Sequence, residues 1–275
     1  MPATTPVRPI LARPLAFSPG GEVWLGTLGR RPAVIRRYET GQPPPPWPGP
    51  PDPAVLSRLR HPSIERFLGL YEEPDGAILH VFTRILGDDL AFRRRHRVLS
   101  PDEAMRSLIG GALGLRYLHR NCPVAPRLHG DVAPGNLLLP ESGSGILVDV
   151  RCAKPAHSGG QTRYSEEGAI LLGTLPYLAP EVLEGQPVTE VAEVHALALT
   201  ILASMHGRLP WSGARSPLEV LGNTERSSAA SLATGTDLPG QIVDILAAML
   251  DEIPGNRPSA AEVVLQFRRA RSRED

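Results

Sequence analysis

The sequence predicts an α+β chain, with antiparallel strands gathered in its first third and helices in the remainder. Three observations carry this. Before residue 83 the apolar residues alternate or cluster in short runs around Gly and Pro turns, the pattern of strands. Beyond residue 99, Ser-x-x-Glu capping boxes at Ser100, Ser216 and Ser259 each open a helical stretch. Within the latter region, between the boxes at Ser100 and Ser216, lies HGDVAPGNLLLPESGSGILVD, residues 129–149, where two apolar runs flank a Ser/Gly turn and read as a short hairpin.

Residues 1–11 are expected to form a loose, proline-rich tail. Leu15–Trp24 and Ala33–Tyr38 read as the first strands. Residues 43–53, PPPPWPGPPDP, are expected to be extended and semi-rigid, a linker or a ligand for a proline-rich-motif-binding partner of SH3-like or WW-like type. Phe67–Tyr71 and Ala77–Phe82 pair as a hairpin across Glu73-Pro74-Asp75-Gly76. Arg93–Arg97 reads as a solvated helix end. The box at Ser100, with Pro101 in the first helical position, opens a helix to about His119 that buries Met105, Leu108, Ala112 and Leu115. The most apolar helix candidate, near Ala196–Ala203 within the apolar stretch Val194–Met205, is too short to span a bilayer and reads as a buried core helix.

The hairpin carries the chemistry. It brings Asp131, Asn136 and Asp149 to one end. Hard cations such as Mg²⁺ take oxygen ligands, and a hydroxyl that attacks phosphorus needs a carboxylate as base. Two acids and an amide suit that pair of tasks.

This stretch resembles the catalytic loop H-R-D-x-x-x-x-N and the D-F-G motif of the eukaryotic-type (Ser/Thr) protein kinases, here H-G-D-V-A-P-G-N and Asp149-Val150-Arg151. Residues 173–181, GTLPYLAPE, resemble G-T-x-x-Y-x-A-P-E. Arg60-His61-Pro62-Ser63-Ile64 resembles R-H-P-N-I, and Ala33-Val34-Ile35-Arg36 resembles V-A-I-K. The resemblance implies a bilobal protein-kinase-like fold over residues 12–272, with a small β lobe (12–82), a hinge (83–87) and a mainly helical lobe (88–272). It implies Asp131 as base, with Thr174 bonded to it, and Asn136 and Asp149 as ligands of Mg²⁺. For ATP it implies Gly21 in a degenerate glycine-rich loop, Val23, Val34 and Leu138 around the adenine, and Arg36 at the α/β-phosphates. It further implies the Thr83 and Ile85 backbones at the base, and Asp89 either at the ribose or as a helix N-cap. Asp52 falls where the glutamate partner of Arg36 belongs. Arg257 is expected to pair with Glu181, and Glu193 takes the place of an aspartate in a core helix.

Four departures bear on activity. Gly130 replaces the arginine of H-R-D, Ala133 the catalytic-loop lysine, Val150-Arg151 the Phe-Gly of D-F-G, and Arg36 the strand lysine. Three functions therefore stand open: an ATP-dependent protein kinase acting on Ser/Thr hydroxyls, a pseudokinase that binds nucleotide or scaffolds, and a small-molecule kinase. Composition narrows the setting. The 29 basic and 29 acidic residues cancel, so no global field draws in nucleic acid or membrane. Two cysteines and no apolar leader fit a cytoplasmic protein.

Overall fold

A computed structural model describes residues 7–18, 21–39, 50–151, 174–224 and 231–272. The chain divides into two compact units. The first joins the chain up to Arg60 with Glu65–Ile85; the second joins His61–Ile64 with the chain from Leu86 onward.

The first unit is a five-stranded antiparallel sheet of β1 (Pro9–Ser18), β2 (Gly21–Leu28), β3 (Arg31–Tyr38), β4 (Phe67–Glu72) and β5 (Ile78–Thr83), ordered β1-β2-β3-β5-β4. Residues 9–11, expected in the tail, belong to β1, where Pro9 pairs with Leu28. Side chains alternate across a strand, so the register divides the faces. Ala33, Ile35, Leu79 and Val81 are buried on one face, with Trp24 and Leu28 packed against them. On the other, Val23 lies opposite Arg36 and Arg36 opposite His80, while Leu25, Val34 and Phe82 form the next row. Gly21 is required where it stands. Its φ is +140°, and a Cβ there would meet the Arg37 carbonyl oxygen at 2.4 Å. One turn of helix, α1 (Pro53–Leu56), begins at Asp52, whose carboxylate accepts the Ala54 N–H at 2.8 Å.

The second unit holds a three-stranded sheet, β6 (Gly87–Asp89), β7 (Leu137–Pro140) and β8 (Ile146–Leu147), in that order. Its helices among the described residues are α2 (Leu90–His96), α3 (Pro101–Arg120), α4 (Pro180–Leu183), α5 (Glu190–His206), α6 (Pro217–Thr224), α7 (Ser231–Thr234), α8 (Gly240–Met249) and α9 (Ala260–Arg271). The boxes at Ser100 and Ser259 close in both directions. At Ser216 only one arm forms: its hydroxyl accepts the Glu219 N–H, whereas the Glu219 carboxylate turns to the Arg215 N–H at 2.8 Å. α5 is buried from Ala192 through Ser204, as its composition demands. Leu108, Ala112 and Leu115 of α3 are buried as expected, but Met105 is only half-buried and Leu118 completes the stripe.

The basic run Arg93–Arg97 is packed in its first half, where Arg93 and Arg94 are half-buried, and exposed in its second, as expected of a solvated end. Arg93 and Arg97 both bond Glu103, at 2.7 and 2.6 Å, and Arg94 donates to the Tyr177 hydroxyl at 2.9 Å. The Arg97 hydrogen bond, foremost, holds the Glu103 carboxyl down at about 2.

Glycine lets α3 approach the hairpin. A Cβ on Gly110 would lie 2.2 Å from the Gly145 carbonyl oxygen, and the Gly145 N–H donates to the Arg106 carbonyl at 2.9 Å. The turn between β7 and β8 therefore rests directly on the helix, and the residues at both ends of this hairpin inherit its rigidity.

Candidate active site

The catalytic loop is suspended from a buried carboxylate. Glu193 of α5 accepts the backbone N–H groups of His129 and Gly130, at 3.0 and 2.7 Å, and bonds His119 Nε2 at 2.8 Å. Burial alone would push its carboxyl up. The hydrogen bonds from His119 and from the Gly130 N–H outweigh that, and the group stays below the usual carboxylate range. His129 fixes the other side. Its Nδ1 accepts the Asp131 N–H at 3.2 Å, so Nε2 carries the proton and donates to the Val148 carbonyl at 3.0 Å. One imidazole thus ties the base-bearing residue to the strand that leads into Asp149.

The three hairpin residues do converge. Asn136 Nδ2 donates to the Asp131 carbonyl at 2.8 Å, which turns its amide oxygen to the opposite side as an acceptor. Arg151 Nη2 lies 3.0 Å from Asp131 Oδ2 and 3.8 Å from Asp149 Oδ2, so the two carboxylates share one cation. The Thr174 hydroxyl donates to Asp131 Oδ1 at 3.0 Å, the bond expected of it. Asp149 is the one non-glycine residue with positive φ among those described, at 60°. An acid held in the left-handed region by a 3.0 Å backbone bond before it (Val148 N–H to Asn136 carbonyl) and a 2.8 Å bond after it (Arg151 N–H to His129 carbonyl) marks a site that fixes geometry at a local cost.

Other predicted residues divide between the two units. In the first, Val23, Val34 and Arg36 share one sheet face, and Gly21 lies at the start of β2. Positions 19–20 of the glycine-rich stretch lie outside the described residues. Thr83 ends β5, its N–H committed to the Arg66 carbonyl at 2.9 Å, and Ile85 follows half-buried. In the second unit, Asp89 and Leu138 are cross-strand partners between β6 and β7. Asp89 Oδ1 accepts the Phe92 N–H at 2.7 Å, so it is the N-cap of α2. Glu181 and Arg257 form the expected pair in two parallel bonds, 2.7 and 2.9 Å. Of the proline-rich segment, 43–49 lies outside the described residues; Pro53 is the first residue of α1.

One expectation is overturned. Asp52 does not pair with Arg36, because its carboxylate caps α1. The partner is Glu65, which receives two parallel bonds from Arg36 at 2.9 and 3.1 Å. The same guanidinium lies 4.3 Å from the centre of the Phe82 ring. An ion pair and a stacking contact from one group require a planar fork, which lysine does not have. The sequence held one signal for Glu65: an acid directly after the apolar Ile64, two residues before the strand that starts at Phe67.

The donor set fits a magnesium ion. An amide oxygen and a carboxylate are hard ligands, and magnesium commonly takes only one or two protein ligands beside phosphate oxygens and water. Among the described residues no cluster of three or more His, Cys, Asp or Glu side chains forms a self-sufficient metal cage.

The chain has known relatives. The protein kinase domain model matches residues 53–266. Serine/threonine-protein kinase PkaA of Streptomyces coelicolor is 32% identical over 219 residues, 78% of this chain and 38% of that protein. PkaB of the same organism is 28% identical, again over 78% of this chain, and half of PkaB is covered. The LRR receptor-like serine/threonine-protein kinase RGI1 of Arabidopsis thaliana is 28% identical across 78% of this chain and 20% of its own length. The chain thus spans between a fifth and a half of these relatives. A family match over most of the chain, the GTLPYLAPE segment tied by Glu181 to Arg257, and the Asp131–Asn136–Asp149 constellation lead to one assignment: the chain belongs to the eukaryotic-type Ser/Thr protein kinase family.

Proposed function

We propose that the chain is an ATP-dependent protein kinase that transfers the γ-phosphoryl group to Ser or Thr hydroxyls of protein substrates. The observation that carries this is the Asp131 carboxylate, held by Thr174 on one oxygen and by Arg151 on the other, in one cluster with Asn136 and Asp149. That cluster retains the base and both metal ligands although the surrounding motifs have drifted.

Asp131 orients the acceptor hydroxyl and takes its proton as the oxygen bonds to the γ-phosphorus and the bond to the β–γ bridging oxygen breaks, releasing ADP. Thr174 keeps the carboxylate from rotating, and beside it lies a small recess lined by Leu178, Val182, Val188 and Ala192. Asn136 and Asp149 would hold Mg²⁺, which when bound neutralises charge on the triphosphate oxygens. For the nucleotide, Val23, Val34 and Leu138 offer apolar contacts and Arg36 a cation. Gly21 allows close backbone approach, Thr83 offers its carbonyl, Ile85 its backbone, and Asp89 the carboxylate oxygen opposite its cap bond. No helix among the described residues is long and apolar enough to cross a membrane. The cytoplasm, where ATP is abundant, is the compartment this reading requires.

The test is incorporation of γ-labelled phosphate into a generic protein acceptor, with Asp131→Asn as control. Label that migrates with protein and vanishes in the variant is expected. Label confined to small molecules would point to a small-molecule kinase, and no incorporation above the variant would point to a pseudokinase.

A further inference from the structure

We propose that Arg151 is a catalytic residue: the cation that binds the transferred phosphoryl group, in place of the lysine that Ala133 removes from the catalytic loop. The proposal rests on the kinase reading above and names a new part of its machinery.

The sequence makes a reciprocal exchange. Gly130 stands where the family has arginine, and Arg151 stands where it has glycine. The structure gives this exchange a physical meaning. Gly130 has φ +95°, and a Cβ on it would meet Arg151 Cβ at 3.1 Å, Cδ at 3.6 Å and Cγ at 3.7 Å. The Arg151 side chain therefore lies along the open face of Gly130, and a residue with a side chain at 130 would be both strained and in its way. The backbone is anchored to match, with the Arg151 N–H on the His129 carbonyl at 2.8 Å.

That path delivers the guanidinium to the base and the metal-binding acid together, 3.0 Å from Asp131 and 3.8 Å from Asp149. These acids flank the region where an acceptor oxygen and a phosphoryl group must meet. A guanidinium carries five N–H donors in a fixed fork, so one arm can stay on Asp131 while others meet phosphoryl oxygens. During transfer the acceptor oxygen bonds to the γ-phosphorus, its proton passes to Asp131, and ADP departs. Negative charge on the migrating group is then met by a fixed cation rather than by water. The side chain is mostly enclosed, with 20% exposure, which strengthens that interaction.

The experiment compares Mg·ATP and Mg·ADP affinities by calorimetry, and kcat and KM on a protein acceptor, for the full chain and for Arg151→Ala, Arg151→Lys and Arg151→Ala/Ala133→Lys. Arg151→Ala is expected to weaken Mg·ATP about tenfold while sparing Mg·ADP, because only ATP carries the group contacted. It is expected to lower kcat by about 10²–10³-fold with little change in KM. Arg151→Lys keeps the charge and should retain most of the ATP-over-ADP preference, and Ala133→Lys should recover kcat in part. An unchanged ATP-to-ADP ratio in Arg151→Ala, or a faster enzyme, would overturn the proposal; the latter would make Arg151 a plug on Asp131. If the parent chain transfers no phosphate yet its ATP preference depends on Arg151, the kinase reading fails and the phosphate contact stands.

Discussion

At the scale of single residues, the Arg36–Glu65 pair decides whether the strand arginine is a worn lysine or a residue with its own fit. Both groups are buried, at 8% and 7% exposure. Two parallel bonds and the Phe82 ring define the guanidinium's plane. Lysine at this position keeps the charge but loses the fork, so the two parallel bonds to Glu65 cannot both keep their geometry. Arg36→Lys is therefore expected to lower activity and to destabilise the chain by about 1–3 kcal/mol, the range for a weakened hydrogen bond to a charged group. Glu65→Gln removes the negative charge that Arg36 meets in two parallel bonds, and its cost should exceed that of the lysine variant. Asp52→Ala should remove only a helix cap, roughly 1 kcal/mol, and leave turnover near that of the parent. Chemical denaturation and labelled-phosphate turnover of the three variants check this. A lysine variant more active than the parent would show that Arg36 is a degraded site after all.

At the scale of elements, α3 positions the hairpin through glycines that intrinsic propensity would disfavour. Replacing a mid-helix glycine by alanine ordinarily stabilises by about 1 kcal/mol. At Gly110 the sign reverses, because the new methyl would meet the backbone of Gly145, and backbone cannot rotate aside. Gly110→Ala is expected to cost at least ~2 kcal/mol and to slow phosphoryl transfer by displacing the turn between β7 and β8. Gly240→Ala, at the start of α8 with nothing within 4 Å of the added Cβ, should be neutral or stabilising. Equal melting temperatures for the two variants would refute the close-packing account. This is also where sequence reading ran out. The capping boxes at Ser100 and Ser259, the apolar α5 and the Asp131–Asn136–Asp149 cluster were legible from residue types at fixed spacing, and the Arg257–Glu181 pair from the family resemblance. Gly110 was not, since its role depends on a neighbour 35 positions away. Glu65 was not, because a partner supplied by a sheet threshold has no periodicity to betray it. Arg151 read as a loss from D-F-G until its path along Gly130 could be seen.

At the scale of the whole molecule, each unit carries a buried histidine that is neutral when folded. His80, in the sheet unit, lies among Tyr38, Phe67 and Phe82; burial first, and then the charge of Arg36, lowers its pKa to about 4. His195 of α5 lies fully enclosed in the helical unit, and burial, with a smaller push from Arg257, lowers it to about 3. Their ordinary value is 6.5. The unfolded chain therefore takes up protons that the fold refuses, and stability depends on that difference. Above about pH 6.5 the neutral imidazoles cost nothing extra. As pH falls, stability is lost from about 6.5 toward about 4 for His80 and toward about 3 for His195. For His195 the slope approaches about 1.4 kcal/mol per pH unit. Glu103 joins later: its carboxyl is held at about 2 against a usual 4.5, so its contribution is whole above 4.5 and fades below. Between pH 6.5 and 4.5 these two histidines should thus set much of the acid sensitivity. Denaturant midpoints measured across that window should fall steadily for the parent chain and stay flatter for His80→Phe/His195→Leu. A double variant that tracks the parent down to pH 4.5 would show that these histidines take up no proton on unfolding that the fold had denied them.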